Sequence, residues 1–244
     1  MQGWYLINDD MNICIAMEYM PHGDLHSYLE TRHTPLSESD AQQIVRQVLK
    51  GLIIMHEEKF AHRDVKPQNV LIQHHPDSKA SRPWRVKLAD FGFSKSVLAS
   101  NSNVAVGTYG YMAPELFHRP ADGTKLDERK ADVWAVGAMA FYLMSKDEGF
   151  QSWRSLDFLK TTCRGTKVSL YGGPEPTFRS FWSFRDRTKI SSARRPLLTG
   201  DGINFIREVT MPEPEHRLRA DKAVKHPWLS HLSGKQGRRR KKDR

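Results

Sequence analysis

The sequence is poor in cysteine. Two in 244 residues, Cys14 and Cys163, cannot build a disulfide framework. That excludes the small stapled secreted scaffolds and reads as two reduced thiols of an intracellular protein. Long apolar runs are absent too. The longest apolar-rich stretch, Ala131–Met144, carries Asp132. It falls short of the roughly 18 residues of a membrane span and reads as a buried core helix. Met1–Trp4 has neither a basic start nor an apolar core, so the expected location is cytoplasmic or nuclear, with no membrane partner. No internal repeat is visible. With 39% hydrophobic residues, 27% charged and 16 Gly, the composition is that of a globular chain. Global disorder and collagen-like classes are thereby excluded. The length suits one large domain or two small ones.

The formal charge is +10, and it is concentrated. Lys235–Arg244 carries seven basic residues and one acid, and Arg164–Pro196 eight basic and two acidic, so the rest of the chain is slightly negative. The segment 164–196 also holds Tyr171, Phe178, Phe181, Trp182 and Phe184. Basic residues interleaved with aromatics suit single-stranded nucleic acid. A solvated insertion whose aromatics pack on the body is the preferred reading, and nucleic acid is not an expected partner. Arg238–Lys242 reads as a nuclear address, an anion-binding patch or a disordered charged end.

Trp4–Ile7 and Asn12–Met17 read as the two strands of a hairpin split by Asn8-Asp9-Asp10. A turn at Pro21–Asp24 leads to a short helix over Leu25–Glu30. Ser37-Glu38-Ser39-Asp40 has the capping-box pattern, and the helix it opens repeats apolar residues from Ala41 to Met55 at helical spacing. Val70–Ile72 and Val86–Ala89 are strand-like, with a polar surface loop expected over Gln73–Arg85. His74-His75 in that loop is read as surface, not as a metal site. Phe91–Ala113 is long and irregular, a pattern that is usually functional. Ser155–Cys163, Gly202–Val209 and Ala220–His226 read as helices.

The chemistry lies in two short strings. His62-Arg63-Asp64-Val65-Lys66-Pro67-Gln68-Asn69 sits between a helix and a strand, and Asp90-Phe91-Gly92 follows the next strand. Mg²⁺ takes one or two carboxylates plus substrate phosphates. Asp90 and Asn69 suit such an ion, Asp64 suits a hydroxyl proton, and Lys66 suits charge on a transferred phosphoryl group.

These strings, followed in order by Ala113-Pro114-Glu115, resemble the protein-kinase family over roughly residues 1–230. The resemblance implies a fold that is α+β and mainly α, a protein-kinase-like C-lobe with a remnant two-stranded N-lobe hairpin. It implies a catalytic domain over 1–232, with the insert at about 164–196 and a basic tail over 233–244. It makes Asp64 the catalytic base with Lys66 beside it, Asn69 and Asp90 the Mg²⁺ ligands, and Arg63 the receiver of an activation-segment phosphate. Ser100 and Ser102 are the candidate phosphorylation sites, which calls for an upstream kinase. His62 and Phe91 would join a packing spine, Glu115 and Arg217 a buried ion pair, and Asp132 would prop the catalytic loop. Glu18-Tyr19-Met20 resembles the hinge that holds adenine, with Met17 as gatekeeper, Asp24 at the ribose and Leu71 under the base. Lys66, and Thr108 in the substrate-docking loop, match Ser/Thr-specific members. The implied reaction is transfer of the ATP γ-phosphate to Ser or Thr hydroxyls of protein substrates, with ATP and Mg²⁺ as cofactors.

The sequence departs from the pattern ahead of the hinge. About 16 residues stand there, without a Gly-rich loop or a strand lysine. The expectation is therefore weak or absent phosphotransfer by this chain alone. The rival readings are a non-catalytic kinase-like interaction module and, more weakly, a nucleic-acid binder.

Overall fold

The computed structural model describes residues 3–7, 12–78, 82–96, 107–117, 126–146 and 198–230. The chain opens with β1 (Gly3–Ile7) and β2 (Asn12–Ala16), an antiparallel hairpin in which Gly3 pairs with Ala16 and Ile7 with Asn12. Helix α1 (Leu25–Glu30) follows, capped by Asp24, and then α2 (Glu38–Glu57), capped by Ser37. The capping box works as its residue types require: Ser37 Oγ accepts from the Asp40 N–H at 3.1 Å and donates to Asp40 Oδ2 at 2.6 Å.

Beyond α2 come β3 (Phe60–Ala61), β4 (Val70–His74), β5 (Arg85–Leu88) and β6 (Lys95–Ser96). They form two small antiparallel ladders, β3 with β6 and β4 with β5. Helices α3 (Glu128–Ser145), α4 (Gly200–Val209), α5 (Ala220–Ala223) and α6 (Pro227–Ser230) complete the described residues. The last helix, expected over Ala220–His226, ends at Ala223, and a second short helix follows it. Pro227 opens the second, where its missing N–H costs no hydrogen bond. The helix expected over Ser155–Cys163, the insert and the tail lie outside the described residues.

Helix α3 is apolar around its whole circumference, and every residue from Ala131 to Ser145 is buried. A helix of that composition belongs at the centre. The α2 stripe of Ala41, Ile44, Val45, Val48, Leu49 and Leu52 joins the same core, as do Phe205, Ile206, Val209 and Trp228. Each large side chain buried there contributes about 1.5–3 kcal/mol. Glu38 ties the periphery together. Its carboxylate accepts from Thr199 Oγ1 at 2.7 Å and from Trp228 Nε1 at 2.7 Å, joining the starts of α2 and α4 to α6.

The Gln73–Arg85 stretch is not a plain surface loop. Trp84 is 5% and His75 8% exposed. The ring of His75 makes edge contacts with His22 at 4.5 Å and Tyr28 at 4.8 Å. Trp84 Nε1 donates to Asp40 Oδ1 at 2.9 Å. The polar neighbours masked two residues whose side chains fold inward against α1 and α2.

Candidate active site

Asp132 of α3 organises the loop between β3 and β4. It is 2% exposed, and three donors meet its carboxylate. Oδ1 accepts from the Arg63 N–H at 2.8 Å. Oδ2 accepts from the His62 N–H at 2.8 Å and lies 2.9 Å from His56 Nε2. The pull on consecutive N–H groups bends the chain, and Arg63 adopts a left-handed φ of 73°. His62, fully buried, accepts the Asp64 N–H on Nδ1 at 3.4 Å, so its Nε2–H is free to donate to the Ala89 carbonyl at 3.1 Å. Its ring meets Phe91 edge-on at 5.5 Å.

Asp64 is 4% exposed, and its carboxylate is surrounded by donors. Thr108 Oγ1 donates to Oδ1 at 2.8 Å. Asn69 Nδ2 donates to Oδ2 at 3.0 Å and to the Asp64 carbonyl at 2.8 Å. Lys66 Nζ stands 2.7 Å from Oδ2 and donates to Thr108 Oγ1 at 2.8 Å. Burial by itself raises the Asp64 carboxyl; hydrogen bonds from Lys66 and Thr108, the Lys66 charge and Asn69 outweigh it and hold the group below its ordinary value. Asp64 is therefore an ionised acceptor at neutral pH. Gly107 makes the approach of the Thr108 segment possible. Its φ is 133°, and a Cβ there would lie 3.0 Å from the Arg63 carbonyl and 3.1 Å from Met112 Cγ.

Asn69 and Asp90 stand at the ends of paired strands. Val70 is in register with Leu88, and the Ala89 N–H donates to the Asn69 carbonyl at 2.8 Å. Asn69 spends its amide nitrogen on Asp64, which leaves the amide oxygen for a cation. Asp90 has φ 62° and is exposed, with Oδ1 accepting the Gly92 N–H at 3.2 Å. One amide oxygen and one carboxylate beside a carboxylate base are hard donors that fit a hydrated Mg²⁺.

The segment proposed for adenine is open. Met17 is 62% and Tyr19 82% exposed. Glu18 turns its side chain to the surface, where it pairs with Lys87 and accepts from Gln73 Nε2 at 2.5 Å, so its carboxylate is already engaged. The Met20 carbonyl is taken by the Gly23 N–H at 3.2 Å. Leu71 is half-buried and bridges to Asp24. Both Asp24 oxygens already cap α1, accepting from the Ser27 N–H at 2.9 Å and Ser27 Oγ at 2.6 Å.

Arg217 and Glu115 pair as the resemblance implied. Arg217 is 1% exposed. Its Nη1 and Nη2 donate to the two Glu115 oxygens at 2.6 and 2.9 Å, and its remaining N–H groups go to the carbonyls of Lys130, Met211 and Pro212. That satisfies all five guanidinium donors.

Arg63 has a partner that the sequence did not suggest. Its Nε lies 2.8 Å from Glu128 Oε2. The available signal was the position of Glu128, four residues before Asp132 and hence on the same helix face. Ser100 and Ser102 lie outside the described residues.

A fold of this type, with a buried carboxylate, a neighbouring lysine, an amide and a second carboxylate on one loop-and-strand unit, is the arrangement that phosphoryl transfer calls for. The profile of the protein kinase domain matches residues 1–229. The chain belongs to the protein kinase family. It is 26% identical over 231 residues to the serine/threonine-protein kinase cds1 of Schizosaccharomyces pombe, covering 93% of this chain and 43% of that protein. It is 28% identical over 224 residues to the liver/testis phosphorylase b kinase gamma catalytic chain of Mus musculus, covering 91% and 48%. Against CDPK-related kinase 8 of Arabidopsis thaliana the figures are 27% over 222 residues, 91% and 31%. The chain thus spans about a third to a half of the length of these relatives. Among solved structures, the Rad53 kinase domain with SCD2 superposes with a TM-score of 0.62 at 21% identity, covering 94% of this chain and 68% of that one. The likeness establishes the shared fold.

Proposed function

We propose that this chain carries the catalytic loop and docking segment for transfer of the γ-phosphate of ATP to Ser or Thr hydroxyls of protein substrates, with weak turnover by these residues alone for want of a Gly-rich loop and a strand lysine. The observation that carries the reading is the ionised Asp64 carboxylate, held by Thr108, Lys66 and Asn69 within the catalytic loop. Asp64 accepts a hydrogen bond from the acceptor hydroxyl, aligns it and takes its proton as the new P–O bond forms and the bond from the γ-phosphorus to the bridging oxygen breaks, releasing ADP. Lys66, already between Asp64 and Thr108, supplies positive charge where phosphoryl oxygens gather negative charge. The Asn69 amide oxygen and the Asp90 carboxylate would hold Mg²⁺, which when bound neutralises phosphate charge. The main chain of Glu18–Met20 would meet the adenine edge, Leu71 its face, and Asp24 the ribose through lone pairs left over from capping.

Serine/threonine specificity is favoured by the Lys66–Thr108 hydrogen bond, which locks the substrate-docking loop to the catalytic loop, and by one relative that bears that name. The test is radiolabel transfer to a peptide array carrying Ser, Thr and Tyr acceptors. Label is expected on Ser and Thr, and Asp64→Ala should lower the rate by about 10²–10⁴-fold, the usual weight of a general base. Predominant Tyr label, or an Asp64→Ala variant of undiminished rate, would overturn the assignment.

A further inference from the structure

One ion pair beside the catalytic carboxylate has no part in the phosphotransfer described above. Arg63 Nε stands 2.8 Å from Glu128 Oε2, with side chains 10% and 14% exposed. Arg63 Nη1 also donates to the Phe93 carbonyl at 3.4 Å. Glu128 and Asp132 share a face of α3, and Asp132 holds the Arg63 N–H at 2.8 Å. One helix face therefore grips residue 63 by both main chain and side chain. A left-handed φ of 73° at a non-glycine residue persists only where the surroundings impose it. The next residue in the chain is Asp64.

We propose that Glu128 is the resident counter-anion of Arg63, a positioning residue that keeps Asp64 in its working place without a phosphate on the segment Phe91–Ala113. The proposal rests on the kinase reading and adds a mode of regulation to it. A largely desolvated guanidinium needs an anion to stay ordered. A carboxylate on the first turn of α3 is permanent, whereas a phosphoserine comes and goes. A phosphate brings about −1.5 to −2 charges. Brought to Arg63, it would meet the Glu128 carboxylate at contact distance and would have to share the guanidinium or displace it. Phosphorylation of Ser100 or Ser102 is then no on-switch acting through Arg63.

The experiment compares the phosphatase-treated chain with its Glu128→Gln and Glu128→Asp variants. Steady-state kinetics and the side-chain ¹⁵N–¹H signal of Arg63 Nε are measured on each. Dephosphorylated wild type should keep its turnover. Glu128→Gln should lose about 10²-fold in kcat, the scale of a small misplacement of a reacting group, with KM for ATP unchanged, and Glu128→Asp should recover part of it. Loss of wild-type turnover on phosphatase treatment, or full turnover in Glu128→Gln, would overturn the proposal. Wild-type turnover too weak to measure, the result the missing Gly-rich loop and strand lysine predict, would leave the spectrum to decide the pairing by itself. A slowly exchanging Arg63 Nε–H in wild type that is lost in Glu128→Gln upholds it, and identical spectra refute it.

Discussion

Thr108 does more than line a docking loop. Its hydroxyl accepts from Lys66 and donates to Asp64, so one oxygen orients both groups and carries the correct hydrogen at each contact. Valine has nearly the same shape and neither bond. Thr108→Val leaves a buried carboxylate oxygen without its donor, at a cost of about 1–3 kcal/mol, which corresponds to roughly 10–100-fold in rate. Thr108→Ser restores the bond and should restore most of the rate. Turnover on one Ser peptide checks both, and a valine variant as fast as the serine one would mean that the hydroxyl is idle. The residues of this site were legible because their types are chemically extreme and close in sequence. Glu128 was not, because its partner is distant in the chain and a glutamate at a helix start already has an ordinary explanation as a favourable charge at the helix dipole.

At the scale of elements, two glycines inside helices have opposite meanings. A Cβ on Gly137 of α3 would lie 2.5 Å from Thr210 Cγ2 and 2.6 Å from Val209 Cγ2. Both methyls belong to stiff β-branched side chains that are themselves buried. A Cβ on Gly51 of α2 would find only Leu88 Cβ, at 3.8 Å. Alanine therefore gains helix propensity at either position, but at Gly137 it wedges α3 away from α4. Gly137→Ala should destabilise by about 1–3 kcal/mol through overpacking, and Gly51→Ala should stabilise by roughly 0.5–1 kcal/mol. Urea unfolding of the two variants measures both signs, and equal shifts would refute the packing argument. Helices α1, α2 and α3 were readable from the sequence because a turn, a capping box with an apolar period, and a continuous apolar run mark them locally. The inward folding of His75 and Trp84 was not. Burial of a lone ring in a polar stretch depends on what packs over it, and that is fixed by α1 and α2 from elsewhere in the chain.

For the molecule as a whole, two buried imidazoles set a pH limit. Burial lowers the pKa of His75, and His22 nearby adds to the effect. Burial also lowers that of His226, against the opposing charges of Glu208 and Asp201. His226 Nδ1 accepts the Trp228 N–H at 3.1 Å, a bond that only the neutral ring can make in this form. Both groups thus bind a proton more readily in the unfolded chain. Their contribution to stability is complete above the ordinary histidine value of about 6.5 and drains away as pH falls through the lower folded values. The melting temperature should decline between pH 7 and pH 5, ahead of the carboxylates, whose lowered values act further into acid. His75→Phe combined with His226→Asn, which keeps an acceptor for the Trp228 N–H, should flatten that decline. An unchanged slope would assign it to other groups.

The knot at Glu38 has a consequence in time. Its bonds to Thr199 and Trp228 join residues 161 and 190 positions apart. Contacts that close such long loops form only after much chain entropy has been surrendered, and they slow folding when they belong to its critical step. During synthesis α2 leaves the ribosome long before its partners exist, so it must wait with its N-terminal carboxylate unclaimed. If such a bond forms after the transition state, it governs how fast the native state opens. Stopped-flow measurements on Glu38→Gln should show faster unfolding with refolding unchanged, and a slowed refolding limb would place the knot early instead. Faster unfolding alone would make Glu38 the clasp that fastens an already folded body.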